Sequence, residues 1–218
     1  MINFISKVPG LPDAEISRPD IPWQNGAKYF ACGPRLHEYL LELGTILKAY
    51  NAFSVGEMPC VEDPKEILNA VGFDRGELNM IFHFEMYAPP PLLHIKKLVL
   101  TTRSVCLDHG PRGKFSPRQW QMKDLKRIVS KWQDFMINND GWNALYLENH
   151  DQSRSVSRWG SDLSEFRAAS AKMFATFLAL QSGTVFVYQG QELGMINLPN
   201  DRDISEYRDL ETVNAWNE

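Results

Sequence analysis

Residues 162–188 read DLSEFRAASAKMFATFLALQSGTVFVY, and this stretch contains the unit on which the fold rests. Asp162, with Glu165 three positions on, has the spacing of a helix cap. Phe166, Met173, Phe174, Phe177 and Leu178 supply the apolar body of that helix, and Gly183 ends it. Thr184-Val-Phe-Val-Tyr188 follows as a strand. It is apolar at successive rather than alternate positions, so it belongs in a sheet covered on both faces.

The same unit recurs three times upstream. Ala144-Leu-Tyr-Leu147 follows a helix with Leu125, Ile128, Val129, Trp132, Phe135 and Met136 on one face, opened by the capping chemistry of Ser116, Pro117 and Gln119. Asn79-Met-Ile-Phe-His83 follows a short helix capped by Asp63, with Pro64 at its first position, Glu66 at its third, Ile67, Leu68 and Val71 inward and Gly72 at its end. Asn51-Ala-Phe-Ser-Val55 follows a helix opened at Gly33-Pro34, with Leu36, Tyr39, Leu40, Leu43 and Leu47 at helical spacing. Helix and strand alternating in this way indicate an α/β fold built on a parallel sheet. In such sheets the chemistry lies just past the carboxyl ends of the strands.

Composition narrows the function classes. The chain has 218 residues, 23 Lys+Arg against 27 Asp+Glu and a net charge of −4, with no basic run interleaved with aromatics. A nucleic-acid partner is therefore not expected. No apolar run approaches the roughly 20 residues of a membrane span, and the amino-terminal residues do not read as a secretory signal. Three widely spaced cysteines, Cys32, Cys60 and Cys106, suit neither a disulfide framework nor a zinc knuckle, so the expected setting is reducing and cytoplasmic. No metal-ligand cluster is visible, and no cofactor is expected.

Two strand ends stand out. Val55-Gly56-Glu57-Met58-Pro59 places a carboxylate among small and apolar neighbours. Burial there would raise its pKa and suit a general acid; the alternative is a Glu that caps or pairs in the following loop. Glu148-Asn149-His150-Asp151-Gln152-Ser153-Arg154 gathers several kinds of hydrogen-bonding side chain into one loop. That loop is either a site or a structural capping cluster. His37, on a helix, and His83, at a strand end, read as packing or surface residues.

VGEMP, ENHDQSR and FVYQGQELGM, in this order and at these separations, resemble the later signature regions of the α-amylase family of glycoside hydrolases, and within it the fungal maltase and oligo-1,6-glucosidase branch. The likeness extends to Gly33-Pro-Arg-Leu-His-Glu-Tyr-Leu, Phe115-Ser-Pro-Arg-Gln-Trp120 and Gly141-Trp-Asn-Ala-Leu-Tyr. It implies that residues 1–218 are part of a (β/α)8 barrel, roughly its second half, with strands five to eight. It further implies Glu57 as general acid/base and Asp151 as the carboxylate stabilising an oxocarbenium-like transition state. His150 would bind the same sugar and Gln152 would line the next subsite. Arg154 would either pair with a site carboxylate at the substrate or form a structural salt bridge. The implied substrate is a maltose- or isomaltose-like oligosaccharide. Glycosidic cleavage needs one protonated and one ionised carboxyl group, which these residues match.

The chain also departs from the family pattern. Met1-Ile2-Asn3-Phe4-Ile5-Ser6-Lys7 resembles the stretch that follows the nucleophilic Asp, so the 218 residues are expected to lack that carboxylate. The alternative to an active α-glucosidase is thus a catalytically inactive fragment that at most binds sugar. Tyr87 to Ser104, Pro-rich, basic and without an acidic residue, reads as an atypical insertion, either a retained intron or a real loop.

Overall fold

The computed structural model describes residues 1–16, 19, 24–61, 63–85, 109–110, 113–117, 121–199 and 201–217. The atypical stretch 87–104, with His94, and Cys106 beyond it lie outside these residues. The described chain forms two compact units, Met1–Leu145 with Ser182–Thr184, and Tyr146–Gln181 with Val185–Glu218.

In the first unit, α1 (Ala27–Phe30) and α2 (Leu36–Ala49) precede β1 (Val55–Glu57), α3 (Pro64–Val71) and β2 (Met80–Phe82). β1 and β2 pair in parallel, with Val55 opposite Met80, Gly56 opposite Ile81 and Glu57 opposite Phe82. Parallel neighbours need a crossover, and α3 provides it. The start of α3 follows its sequence: the Lys65 N–H donates to the Asp63 carboxylate (2.9 Å), Pro64 occupies the first turn, and Gly72 closes the helix by donating to the Leu68 carbonyl (2.7 Å). The apolar faces of α2, α3 and α4 (Met122–Ile137) meet in a core that includes Leu36, Leu40, Met58, Ile67, Val71, Ile81, Ile128 and Trp132.

Two expectations fail in this unit. β1 runs over Val55–Glu57 and not 51–55, because Asn51 turns the chain at φ 49° and the Ser54 N–H and hydroxyl both donate to the Asn79 side-chain oxygen (2.9 and 3.0 Å). The later start leaves Glu57 as the last strand residue. Ser116 and Pro117 do not cap a helix either. They end β4 (Gly113–Pro117), which pairs antiparallel with β3 (His109–Gly110), an unanticipated hairpin. The helix opens instead at Gln121, whose N–H donates to the Asp124 carboxylate (3.4 Å). Both pairs have the three-residue spacing of a cap, and the hairpin claims the first.

β5 (Ala144–Leu145) and β6 (Thr184–Val185) form a two-stranded sheet, with the Thr184 N–H donating to the Asn143 carbonyl (2.8 Å). Ala144 to Leu147 are all buried, whereas Thr184, Val185 and Val187 are exposed, so the last strand is not covered on both faces. The second unit contains α5 (Ser155–Trp159), α6 (Ser164–Ala179) and α7 (Leu210–Asn217). Asp162 does not cap α6. The helix begins after Leu163, whose carbonyl accepts from Phe166 and Arg167 (both 2.9 Å), and no side chain caps it. Of its apolar body Phe174 and Leu178 are buried, while Phe166 and Met173 face solvent. No described helix is long and apolar enough to cross a membrane.

Candidate active site

Glu57 is half-buried at the carboxyl end of β1. The residue before it has to be small: a Cβ on Gly56 would lie 2.8 Å from the Ile2 side chain and 3.1 Å from that of Leu78. The residue after it, Met58, is fully buried and donates its N–H to the Phe82 carbonyl (3.2 Å), extending the β1–β2 register past the carboxylate. Asn3, also fully buried, donates through Nδ2 to the Pro59 carbonyl (2.7 Å). The turn beyond Glu57 is therefore held from two sides. Nothing in the local sequence of Asn3 signals this role, because the contact spans 56 positions.

The loop after β5 is built on a buried anion. The Glu148 side chain is 1% exposed; it accepts from the Arg154 guanidinium (3.0 Å), the Ser155 N–H (2.8 Å) and the Ser155 hydroxyl (2.5 Å). Arg154 donates further to the Gln189 carbonyl (2.9 Å), and its guanidinium lies over the Tyr188 ring at 4.9 Å. One ion pair thus joins the start of the loop, its end and the segment after β6. Gly190 fits beside it at φ 87°, where a Cβ would lie 2.0 Å from the Met195 sulfur.

On this anchor stand the other predicted residues. The Asn149 side-chain oxygen accepts from the Asp151 N–H (2.9 Å), turning the chain so that His150 and Asp151 are presented to solvent, 71% and 66% exposed. His150 Nε2 lies 3.3 Å from the Asp151 carboxylate. The Gln152 side-chain oxygen accepts from the Arg158 guanidinium (2.7 Å). The structure therefore brings His150, Asp151, Gln152 and Arg154 together in the second unit, and Glu57 belongs to the first. Arg154 pairs with the buried carboxylate of Glu148.

His83 stacks on Trp132, ring centroids 4.2 Å apart, with its Nδ1 out of reach of solvent. Burial, with Lys131 close by, pushes its pKa down to about 3, so it is a neutral packing residue. Glu85, two positions on, accepts from Lys131 (2.6 Å) and from the Trp132 indole (2.9 Å). His37 lies between Glu77 (2.8 Å) and Glu66 (3.3 Å) and ties α2 to α3. Among the described residues no group of three His, Cys, Asp or Glu is placed to hold a metal ion.

A carboxylate ending a parallel strand, and a polar loop after a buried one, are features of an α/β protein. The sequence model of the alpha-amylase catalytic domain matches residues 1–216. An alpha-glucosidase of Schizosaccharomyces pombe is 46% identical over 216 residues, covering 99% of this chain and 34% of the relative, and an oligo-1,6-glucosidase of Parageobacillus thermoglucosidasius is 43% identical over 219 residues, covering 100% and 35%. The trehalose-6-phosphate hydrolase of Bacillus licheniformis superposes with a TM-score of 0.78 at 34% identity, covering 99% of this chain and 34% of that one. The chain belongs to the α-amylase family of glycoside hydrolases. It spans about a third of the length of these relatives and is part of a catalytic domain of that kind.

Proposed function

We propose that these residues serve a retaining α-glucosidase of the maltase or oligo-1,6-glucosidase type, acting on maltose- or isomaltose-like oligosaccharides, and that they make up strands five to eight of its barrel. The observation that carries this reading is the position of Glu57 as the last residue of a parallel strand, in a chain 46% identical to an alpha-glucosidase.

Glu57 is the general acid/base: as a nucleophilic carboxylate of the barrel attacks the anomeric carbon, Glu57 protonates the departing glycosidic oxygen, and it then takes a proton from the water that displaces that carboxylate from the glycosyl-enzyme. A half-buried strand end, braced by Met58 and Asn3, supports that role by limiting the freedom of the carboxyl group. Asp151 accepts hydroxyl hydrogen bonds that strengthen as positive charge develops on the ring. His150 binds the same sugar, and Gln152 lines the next subsite. Arg154 acts on the sugar through the loop it holds, since its guanidinium already serves Glu148, Gln189 and Tyr188. A cytoplasmic location belongs to the same reading, in keeping with Cys32 and Cys60 standing as thiols.

The test is a chimera in which residues 1–218 replace the aligned stretch of the Schizosaccharomyces pombe alpha-glucosidase, assayed with maltose and isomaltose by NMR, with folding monitored by circular dichroism. The expected result is glucose released first as the α-anomer. A folded chimera that cleaves neither sugar, or releases β-glucose, contradicts the proposal.

A further inference from the structure

Five non-glycine residues among those described have left-handed backbone conformations: Leu11, Cys32, Asn51, Cys60 and Asp140. Asn and Asp tolerate that region because their short polar side chains bond locally. Cysteine has no such compensation, yet Cys32 (φ 50°) and Cys60 (φ 62°) both adopt it. The turns that carry these two cysteines meet at Asn3. The Asn3 amide nitrogen donates to the Cys32 sulfur (3.5 Å) and to the carbonyl of Pro59 (2.7 Å), the residue preceding Cys60, while the Asn3 carbonyl accepts from the Cys32 N–H (2.9 Å). One buried side chain thus touches both cysteine turns. Strain that recurs at two positions, on the same unusual residue type, in two turns held by one buried side chain, points to a function for the pair.

We propose that Cys32 and Cys60 are a redox pair that closes to a disulfide by exchange with a small-molecule disulfide of the glutathione type. Burial pushes the Cys32 thiol up to about 11 against the opposing hydrogen bond from Asn3, so Cys32 is assigned the second, resolving step and Cys60 the first. Cys60 gives its proton to solvent base and attacks one sulfur of glutathione disulfide; that S–S bond breaks, and one glutathione leaves as thiolate and takes up a proton. Cys32 then gives its proton to solvent base, attacks the Cys60 sulfur of the mixed disulfide and expels the second glutathione. Two protein thiols are oxidised to one disulfide, and one glutathione disulfide is reduced to two thiols. The bond would join the turn before α2 to the turn after β1.

The test uses the 218-residue chain. It is equilibrated across a series of glutathione redox ratios, acid-quenched, alkylated and digested with trypsin, and residues 29–35 and 49–65 carry the two cysteines. The expected product is the two peptides linked, lighter by two hydrogens than the reduced pair, rising as the ratio becomes more oxidising and lost on adding dithiothreitol. Cys32→Ser should accumulate glutathione on Cys60, whereas Cys60→Ser should leave Cys32 unmodified over the same interval. Recovery of both peptides singly alkylated across the whole series, or linkage of either to Cys106 in the folded chain, overturns the proposal. Equal glutathionylation of Cys32 in Cys60→Ser overturns the order of attack.

Discussion

Glu148 and Arg154 form a 3.0 Å ion pair across the turn that carries His150 and Asp151, with side chains 1% and 16% exposed. Removing one partner of such a pair leaves an uncompensated charge away from water. Glu148→Gln is expected to destabilise the fold by about 3–5 kcal/mol, read from urea unfolding. Glu148→Gln combined with Arg154→Met should recover much of that loss, since the stranded charge is gone.

His83 gives the stability a defined pH dependence. Its folded pKa is about 3 against roughly 6.5 unfolded, so the contribution is complete above about pH 6.5 and is lost as the pH falls toward 3. Over that window unfolding takes up as much as one extra proton, worth about 1.4 kcal/mol per pH unit. His83→Phe, which keeps the stack on Trp132, should flatten the fall in unfolding free energy measured between pH 6.5 and pH 4. An unchanged slope would mean that His83 is not held neutral.

Gly190→Ala forces a side chain into left-handed backbone against the Met195 sulfur. A loss of about 1–3 kcal/mol is expected, with faster amide exchange confined first to residues 189–195. Adding Met195→Ala should relieve the steric part alone.

Gln152→Ala, in the chimera, removes the acceptor that Arg158 uses and the proposed subsite contact together. Its expected effect is a change of roughly tenfold in the maltose-to-isomaltose ratio of kcat/KM, with a smaller change in kcat on the better substrate. Equal losses on both sugars would remove Gln152 from the subsite.

Local chemistry is what could be read from the chain. The Asp63 cap, Pro64 and Gly72 delimit α3 because each acts within a few residues, and the Met80–Phe82 strand falls inside the apolar run 79–83. Where two local solutions compete, sequence is not decisive: Ser116 and Gln119 offer the same cap spacing as Gln121 and Asp124, and the pairing of residues 113–117 with 109–110 takes up Ser116. The start of β1 likewise depends on Asn79, which lies 25 positions from Ser54. At the site, Glu57 and the 148–154 loop were legible as polar strand ends. The support beneath them was not, because the Asn3–Pro59 bond and the reach of Arg154 to Gln189 span 56 and 35 positions.

Glu57 is the proton donor and acceptor of the proposed reaction, and its most direct measurement is the chimera carrying Glu57→Gln, assayed with maltose and with an activated aryl α-glucoside in the presence and absence of azide. Maltose turnover should fall by about 10²–10⁴-fold, the usual contribution of a positioned acid/base. Azide, which needs no base to attack a glycosyl-enzyme, should restore turnover of the aryl glucoside and yield α-glucosyl azide. Maltose turnover unchanged by Glu57→Gln would contradict the assignment.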